Sequence, residues 1–202
     1  MKEIDFYVGP GSRYCYLAST QLPRIAAQWH CHFNWIPIFS GDLIPLSGTS
    51  PFEGRSIRGQ YDSSYRKRDA ERWAKYYKVE FTEPTNNEID WRLIAEFCCA
   101  VPAGLQQESL VQTLLEHTYV KDNAPQSLQE LCEIGSRVGI DIELAQSYLR
   151  DGSGRKIHEE NIRLAHEHGV FGVPTFSVEG QIFWGQDRLV LLEHYLSELE
   201  TR

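Results

Sequence analysis

Two short stretches of this sequence carry residues that could do chemistry. Near the N-terminus, Ser12-Arg13-Tyr14-Cys15 follows Gly9-Pro10-Gly11 and opens a segment whose apolar residues recur at helical spacing. A hydroxyl at a helix N-terminus has two uses: it caps the helix by accepting a backbone N–H, or it donates a hydrogen bond to an anion held there, such as a bound thiolate. Cys15, one turn in, offers a thiol of its own, although Tyr16 and Leu17 beside it argue for burial. Near the other end, Val173-Pro174 stands before a strand pattern. A cis bond there would expose the backbone groups of Val173 to an extended peptide pairing as an added strand, whereas a trans proline would merely open the strand. Trp184-Gly185-Gln186-Asp187 precedes the last helix, where amides and a carboxylate could hold the charged ends of a ligand. Alternatively, Asp187 caps that helix.

Composition narrows the classes. With 28 acidic against 20 basic residues the net charge is −8, which disfavours a general grip on nucleic acid or anionic lipid. The N-terminus shows no apolar core followed by a cleavage site, and no apolar run reaches about 18 residues, so the expectation is a soluble, cytoplasmic protein. Cysteines 15, 31, 98, 99 and 132 make no C-x-x-C pair and no zinc-ribbon spacing, and are expected as mostly free, buried thiols. His30-Cys31-His32 sits in an extended segment whose side chains alternate, so no metal is expected there. Gly9-Pro10-Gly11 is no dinucleotide loop, since Tyr14 occupies the position that a third glycine would need.

The elements that must position these residues follow from periodicity. Residues 3 to 8 predict a strand, Ser12 to Trp29 a helix kinked at Pro23, and residues 33 to 39 a second strand with Pro37 at its edge or end. Residues 41 to 63 read as a long functional loop. From Ser64 to Leu149 the pattern is helical, broken at Pro84, Pro102, Pro125 and Gly139. Tyr65, Asp69, Trp73 and Tyr76 fall on one helical face. A further helix over 156 to 168 leads to a hairpin turning at Glu179-Gly180 and a last helix. The order βαβ, helices, αββα is an α/β, thioredoxin-like arrangement with an all-helical insertion after the second strand. Residues 1–40 and 155–202 are expected to form the thioredoxin-like domain, and 41–154 the loop plus inserted helices.

IDFYVGPGSRYCYLA and FGVPTFSVEGQIFWGQDRL resemble the two ends of the 2-hydroxychromene-2-carboxylate isomerases and the kappa-class glutathione transferases, DsbA-like members of the thioredoxin superfamily. YRKRDAERWAKYY matches more loosely, and the helices after residue 84 mainly in pattern. The resemblance implies glutathione as co-substrate, Ser12 as the residue activating its thiolate, and Val173, Pro174, Gln186, Asp187 and Thr49 as its contacts. It further implies Arg13, Tyr14, Cys15, Arg58, Asp69, Trp73 and Trp184 near the substrate, a small aromatic or conjugated compound, and a homodimer. The chain departs from the pattern at Thr49 after Gly48, at the absence of a nearby lysine, for which Arg55 and Arg58 are the available cations, and at Arg13, where proline is usual. An exposed surface arginine is the simpler reading of Arg13. Two other functions fit the same fold: a thiol oxidoreductase working through Cys15, and a glutathione-binding protein without catalysis.

Overall fold

The β-branched and aromatic run at the N-terminus forms β1, Lys2–Val8, with Ile4, Phe6 and Val8 buried on one face and Tyr7 on the other. Burial on both faces at its C-terminal end is why Phe6, Tyr7 and Val8 follow one another without a polar residue, whereas Glu3 and Asp5 still alternate with Ile4 before them. The structure, a computed structural model, describes residues 1–48, 62–86 and 88–201; Thr49, Arg55 and Arg58 lie outside the described residues.

After β1 come α1 (Arg13–Ser19), α2 (Leu22–Trp29) and β2 (Cys31–Pro37). The expected single helix over 12 to 29 is two helices. Pro23 lies in the first turn of α2, where its missing N–H would have no helical partner anyway, so the chain restarts there instead of kinking. β2 begins earlier than expected, ends at Pro37, and occupies a sheet edge. The described start of the long loop is itself helical: α3, Ser40–Leu43, runs into a 3-10 turn, Ile44–Ser47.

The inserted helices are α4 (Ser63–Tyr77), α5 (Trp91–Cys99), α6 (Leu105–Tyr119), α7 (Leu128–Arg137) and α8 (Ile142–Arg150). Asp62, Asp90, Ser127 and Asp141 each cap one of them through a side-chain oxygen. Of the expected face on α4, Asp69 bonds to Tyr14 and Trp73 packs partly buried against the core, while Tyr65 and Tyr76 are exposed; the fully buried residues are Ala70 and Ala74. Small residues there let α1 approach closely.

α9 (Ser153–Glu167) returns the chain to the sheet, followed by β3 (Thr175–Val178), β4 (Gln181–Trp184), a 3-10 turn at Gln186–Arg188 and α10 (Leu189–Glu200). Glu179 and Gly180 both have positive φ, the conformation that a two-residue hairpin turn requires. The strand order is β2-β1-β3-β4, with β1 parallel to β2 and the remaining pairs antiparallel. Phe6 stands opposite Phe176 and stacks on it at 4.9 Å, with Trp35 edge-on at 4.8 Å. Ile162 and Ala165 of α9 cover the far face with Tyr7, Ile38 and Val170. No helix among the described residues is long and apolar enough to cross a membrane.

Candidate active site

The end of β1 delivers the chain into Gly9-Pro10-Gly11, and α1 starts at once. Ser12 is the N-cap: its backbone is extended, its N–H donates to the Gly9 carbonyl at 2.9 Å, and its Oγ accepts the Cys15 N–H at 3.3 Å. Capping uses a lone pair of the hydroxyl and leaves its hydrogen available to donate. The two readings of Ser12, structural cap and donor to an anion, are therefore compatible.

The Val173-Pro174 peptide is cis. A Cβ placed on Gly9 would lie 2.9 Å from Val173 Cγ2 and 3.6 Å from Ser12 Cβ, so Ser12 and Val173 flank one point above Gly9. Gly172 lies equally tight against the indole of Trp184, whose ring meets that of Phe171 at 5.0 Å in a tilted contact and is half exposed. The Gly185 N–H donates to the Pro174 carbonyl at 2.8 Å, tying the cis-proline loop to the turn before α10.

Cys15 points away from solvent. It is fully buried, its Sγ accepts the Gly9 N–H at 3.3 Å, and burial pushes its thiol up to about 12 against the hydrogen bonds from Ser12 and Gly9 that favour the anion. Desolvation outweighs the helix N-terminus here, so the thiol stays protonated at neutral pH and is a poor nucleophile.

Tyr14 turns toward the inserted helices. Its hydroxyl donates to Asp69 Oδ2 at 3.0 Å, and burial, reinforced by the Asp69 charge, pushes it up to about 12. Asp69 and Trp73 then line, together with Tyr77, Gln186, Asp187 and Leu189, a cleft of about 790 Å³ between α4 and α10. Gln186 is buried, and its carbonyl accepts from the Tyr77 hydroxyl at 3.0 Å. Asp187 does not cap α10: its Oδ2 accepts from Arg188 at 2.6 Å, and Arg188 occupies the cap position without a side-chain bond. Asp69, Trp73, Gln186 and Asp187 are thus brought together, whereas Cys15 is set behind the loop.

Arg13 is not the exposed arginine that was the simpler expectation. Its Nη2 lies 2.7 Å from Glu83 Oε1, with both side chains largely buried. Arg13 Nη1 and Glu83 Oε2 are buried with no hydrogen-bond partner, at a cost of about 1–3 kcal/mol for each such group. The Arg66 guanidinium stands 5.7 Å over the Tyr14 ring. Two aromatic residues from the insertion hold the loop itself: Tyr119 of α6 donates to the Gly11 carbonyl at 2.6 Å, and the Trp91 indole lies against Gly11, where any Cβ would come within 2.4 Å of Cδ2. Glu83, Trp91 and Tyr119 carry no local motif, and nothing in their spacing announces a role, while Arg66 lies in the loosely matching YRKRDAERWAKYY segment without being marked out in it.

A helix N-terminus facing a cis-proline over a four-stranded mixed sheet, with helices inserted between β2 and β3, defines a thioredoxin-like protein of the DsbA type. The chain belongs to the family of the DSBA-like thioredoxin domain, whose model matches residues 3–197. It is 32% identical to a 2-hydroxychromene-2-carboxylate isomerase of Sphingobium xenophagum, covering 96% of this chain and 98% of that one, and 26% identical to the enzyme of that name from Pseudomonas putida, covering 97% and 95%. The structure of a 2-hydroxychromene-2-carboxylate isomerase superposes with a TM-score of 0.82 at 25% identity, over 98% of this chain and 95% of that chain. The cytosolic disulfide reductase DsbM from Pseudomonas aeruginosa, solved with GSH, shares the fold at a TM-score of 0.62 and 15% identity, over 98% of both chains. These relationships place the chain among the DsbA-like isomerases, as an enzyme.

Proposed function

We infer that the chain is a glutathione-dependent isomerase acting on a 2-hydroxychromene-2-carboxylate or a close aromatic relative. The observation that carries this reading is the arrangement at the start of α1: the Ser12 hydroxyl caps the helix and stands across Gly9 from Val173, while Cys15, the protein's own thiol, is buried and protonated. A site that cannot use its own sulfur, yet holds a donor at a helix N-terminus, suits a sulfur supplied from outside. The same observation weighs against a thiol oxidoreductase working through Cys15.

Bound glutathione supplies a thiolate that adds reversibly to a conjugated carbon, allowing bond rotation and release of the isomer. Ser12 holds the charge of that sulfur by donating its hydroxyl hydrogen. Val173 offers its backbone to the cysteinyl part as an added strand. Gln186 and Asp187, which line the cleft, would take the γ-glutamyl group, Asp187 accepting from its ammonium. Asp69 of the same cleft bonds to Tyr14, next to the loop carrying Ser12. Thr49 and Arg58 remain as contacts proposed from the family resemblance.

Calorimetric titration with glutathione, paired with an assay of 2-hydroxychromene-2-carboxylate turnover with and without it, tests the reading. Saturable binding with glutathione-dependent turnover is the expected result. Turnover independent of glutathione would overturn it.

A further inference from the structure

The carbonyl of Gly11 stands one residue ahead of the hydrogen-bond ladder of α1, which begins when the Tyr16 N–H donates to the Ser12 carbonyl at 3.1 Å. The Gly11 oxygen takes its hydrogen from across the fold, where the Tyr119 hydroxyl of α6 donates to it at 2.6 Å. Gly11 C=O and Ser12 N–H belong to one planar peptide. Its oxygen is held by Tyr119 and its N–H by the Gly9 carbonyl at 2.9 Å, so the plane is pinned from both sides, and the Trp91 indole lies flush against Gly11. That plane leads into the Ser12 α-carbon, so its tilt sets the direction in which the hydroxyl leaves the backbone. Tyr119 is itself fixed: its ring packs on Phe81 at 5.9 Å and on Tyr16 at 5.8 Å, and its own carbonyl accepts the Thr82 N–H at 2.6 Å. Burial pushes its hydroxyl far above the ordinary range, so it stays protonated, a donor, at neutral pH.

We propose that Tyr119 is a positioning residue of the active site: by holding the Gly11–Ser12 peptide it keeps the Ser12 hydroxyl at its place across Gly9 from Val173, and so acts on the reacting sulfur through Ser12. The inference rests on the glutathione-dependent reading for the identity of that sulfur. A tyrosine that only braced the fold would add stability and leave the donation from Ser12 as it was. A tyrosine that sets the tilt of the peptide before Ser12 alters the aim of the donor, and a shift of a fraction of an ångström at such a group is felt in the rate before it is felt in the fold.

Tyr119→Phe tests this in the whole chain, since it keeps the ring and its stack and removes only the donor. In the 2-hydroxychromene-2-carboxylate assay kcat should fall about 10- to 100-fold while the KM for glutathione changes little. The bound thiol, followed by the ultraviolet absorbance of its thiolate, should titrate at higher pH than in the unaltered chain. In a double-mutant cycle Tyr119→Phe should cost little further once Ser12 is alanine, because both act through one group. Tyr16→Phe controls for bracing: it removes a hydroxyl of the same aromatic stack, one that donates to the Glu80 carbonyl and not to Gly11, and kcat should hold. Full kcat in Tyr119→Phe, or a loss that recurs undiminished in the Ser12→Ala background, would overturn the assignment. Turnover that proceeds equally without glutathione sinks the thiolate reading alone, since the coupling of Tyr119 to Ser12 is still read from kcat. Amide hydrogen exchange needs no ligand and decides the point if no turnover is found: the Ser12 N–H should exchange faster in Tyr119→Phe while those of Leu17 and Ala18 do not, and an unchanged Ser12 N–H would overturn the proposal.

Discussion

Ser12 and Val173 stand on either side of Gly9, so close that a methyl group on Gly9 would press on Val173 at 2.9 Å while still touching Ser12. The glycine sets how near the hydroxyl comes to the cis-proline loop. Gly9→Ala should therefore push the two sides apart. The expected outcome is glutathione affinity weakened about tenfold with the thermal midpoint little changed, since displacing a positioning contact by a fraction of an ångström is felt first in binding. Titration and thermal melting of the same variant check it.

Ser12→Ala should lower glutathione-dependent turnover by about 10²–10³-fold, the range for losing one preorganised donor. It also removes a cap, at about 1 kcal/mol. Ser12→Asp separates the two effects, because aspartate caps well but has no hydrogen to give and repels a thiolate. Turnover should collapse in both variants while stability falls only in the alanine. Retained turnover in the aspartate variant would remove the hydroxyl from the mechanism.

The five thiols should react unequally with a maleimide. Cys132 is the only cysteine not buried, so the native chain should label there first, and the other four only on unfolding. Cys15→Ser should spare most of the turnover. Rapid labelling of Cys15 in the native chain, read by peptide mass spectrometry, would contradict the assignment of its thiol as inert.

His158 gives an acid-side instability. It is buried, its Nε2 accepts the Phe39 N–H at 3.0 Å, and burial, more than its charged neighbours, lowers its pKa below the ordinary 6.5; Asp42 and Glu159 raise it and Arg92 lowers it further. The folded state thus binds its proton less readily than the unfolded chain. The stability it contributes is full above pH 6.5 and is lost as pH falls from there through the lower folded value. His117, lowered by burial and by Lys121, acts in the same sense. Denaturant midpoints across pH 5 to 8 should fall toward acid, and His158→Gln should flatten part of that slope.

The periodic parts of the fold were open to reading from the sequence. The strand before Gly9, the helix behind Ser12, the Glu179-Gly180 hairpin and the inserted helices all rest on local spacing, turn chemistry and caps, which the sequence writes directly. Ser12, Val173 and Pro174 were legible because a motif marks each end of the site. The split at Thr20 was missed because a proline pattern alone does not say whether it kinks one helix or starts another. The α4 face was legible in part: Trp73 and Asp69 turn inward as their spacing suggested, but the fully buried residues are two alanines, which a row of large side chains does not point to. Glu83, Trp91 and Tyr119 were beyond reach, since each acts on the Gly11–Arg13 loop from across the fold, and no local pattern encodes such a distance in sequence.

The bond from Tyr119 to Gly11 ties the two parts of the molecule at the spot where the reaction is proposed to take place. The helical insertion is consequently no exchangeable cassette. Grafting the equivalent helices of a relative onto this sheet, as an engineer might in order to alter what the pocket accepts, would carry away the anchor of the loop that aims Ser12. Such a chimera would need an aromatic hydroxyl at the end of α6 before its new pocket could be judged at all.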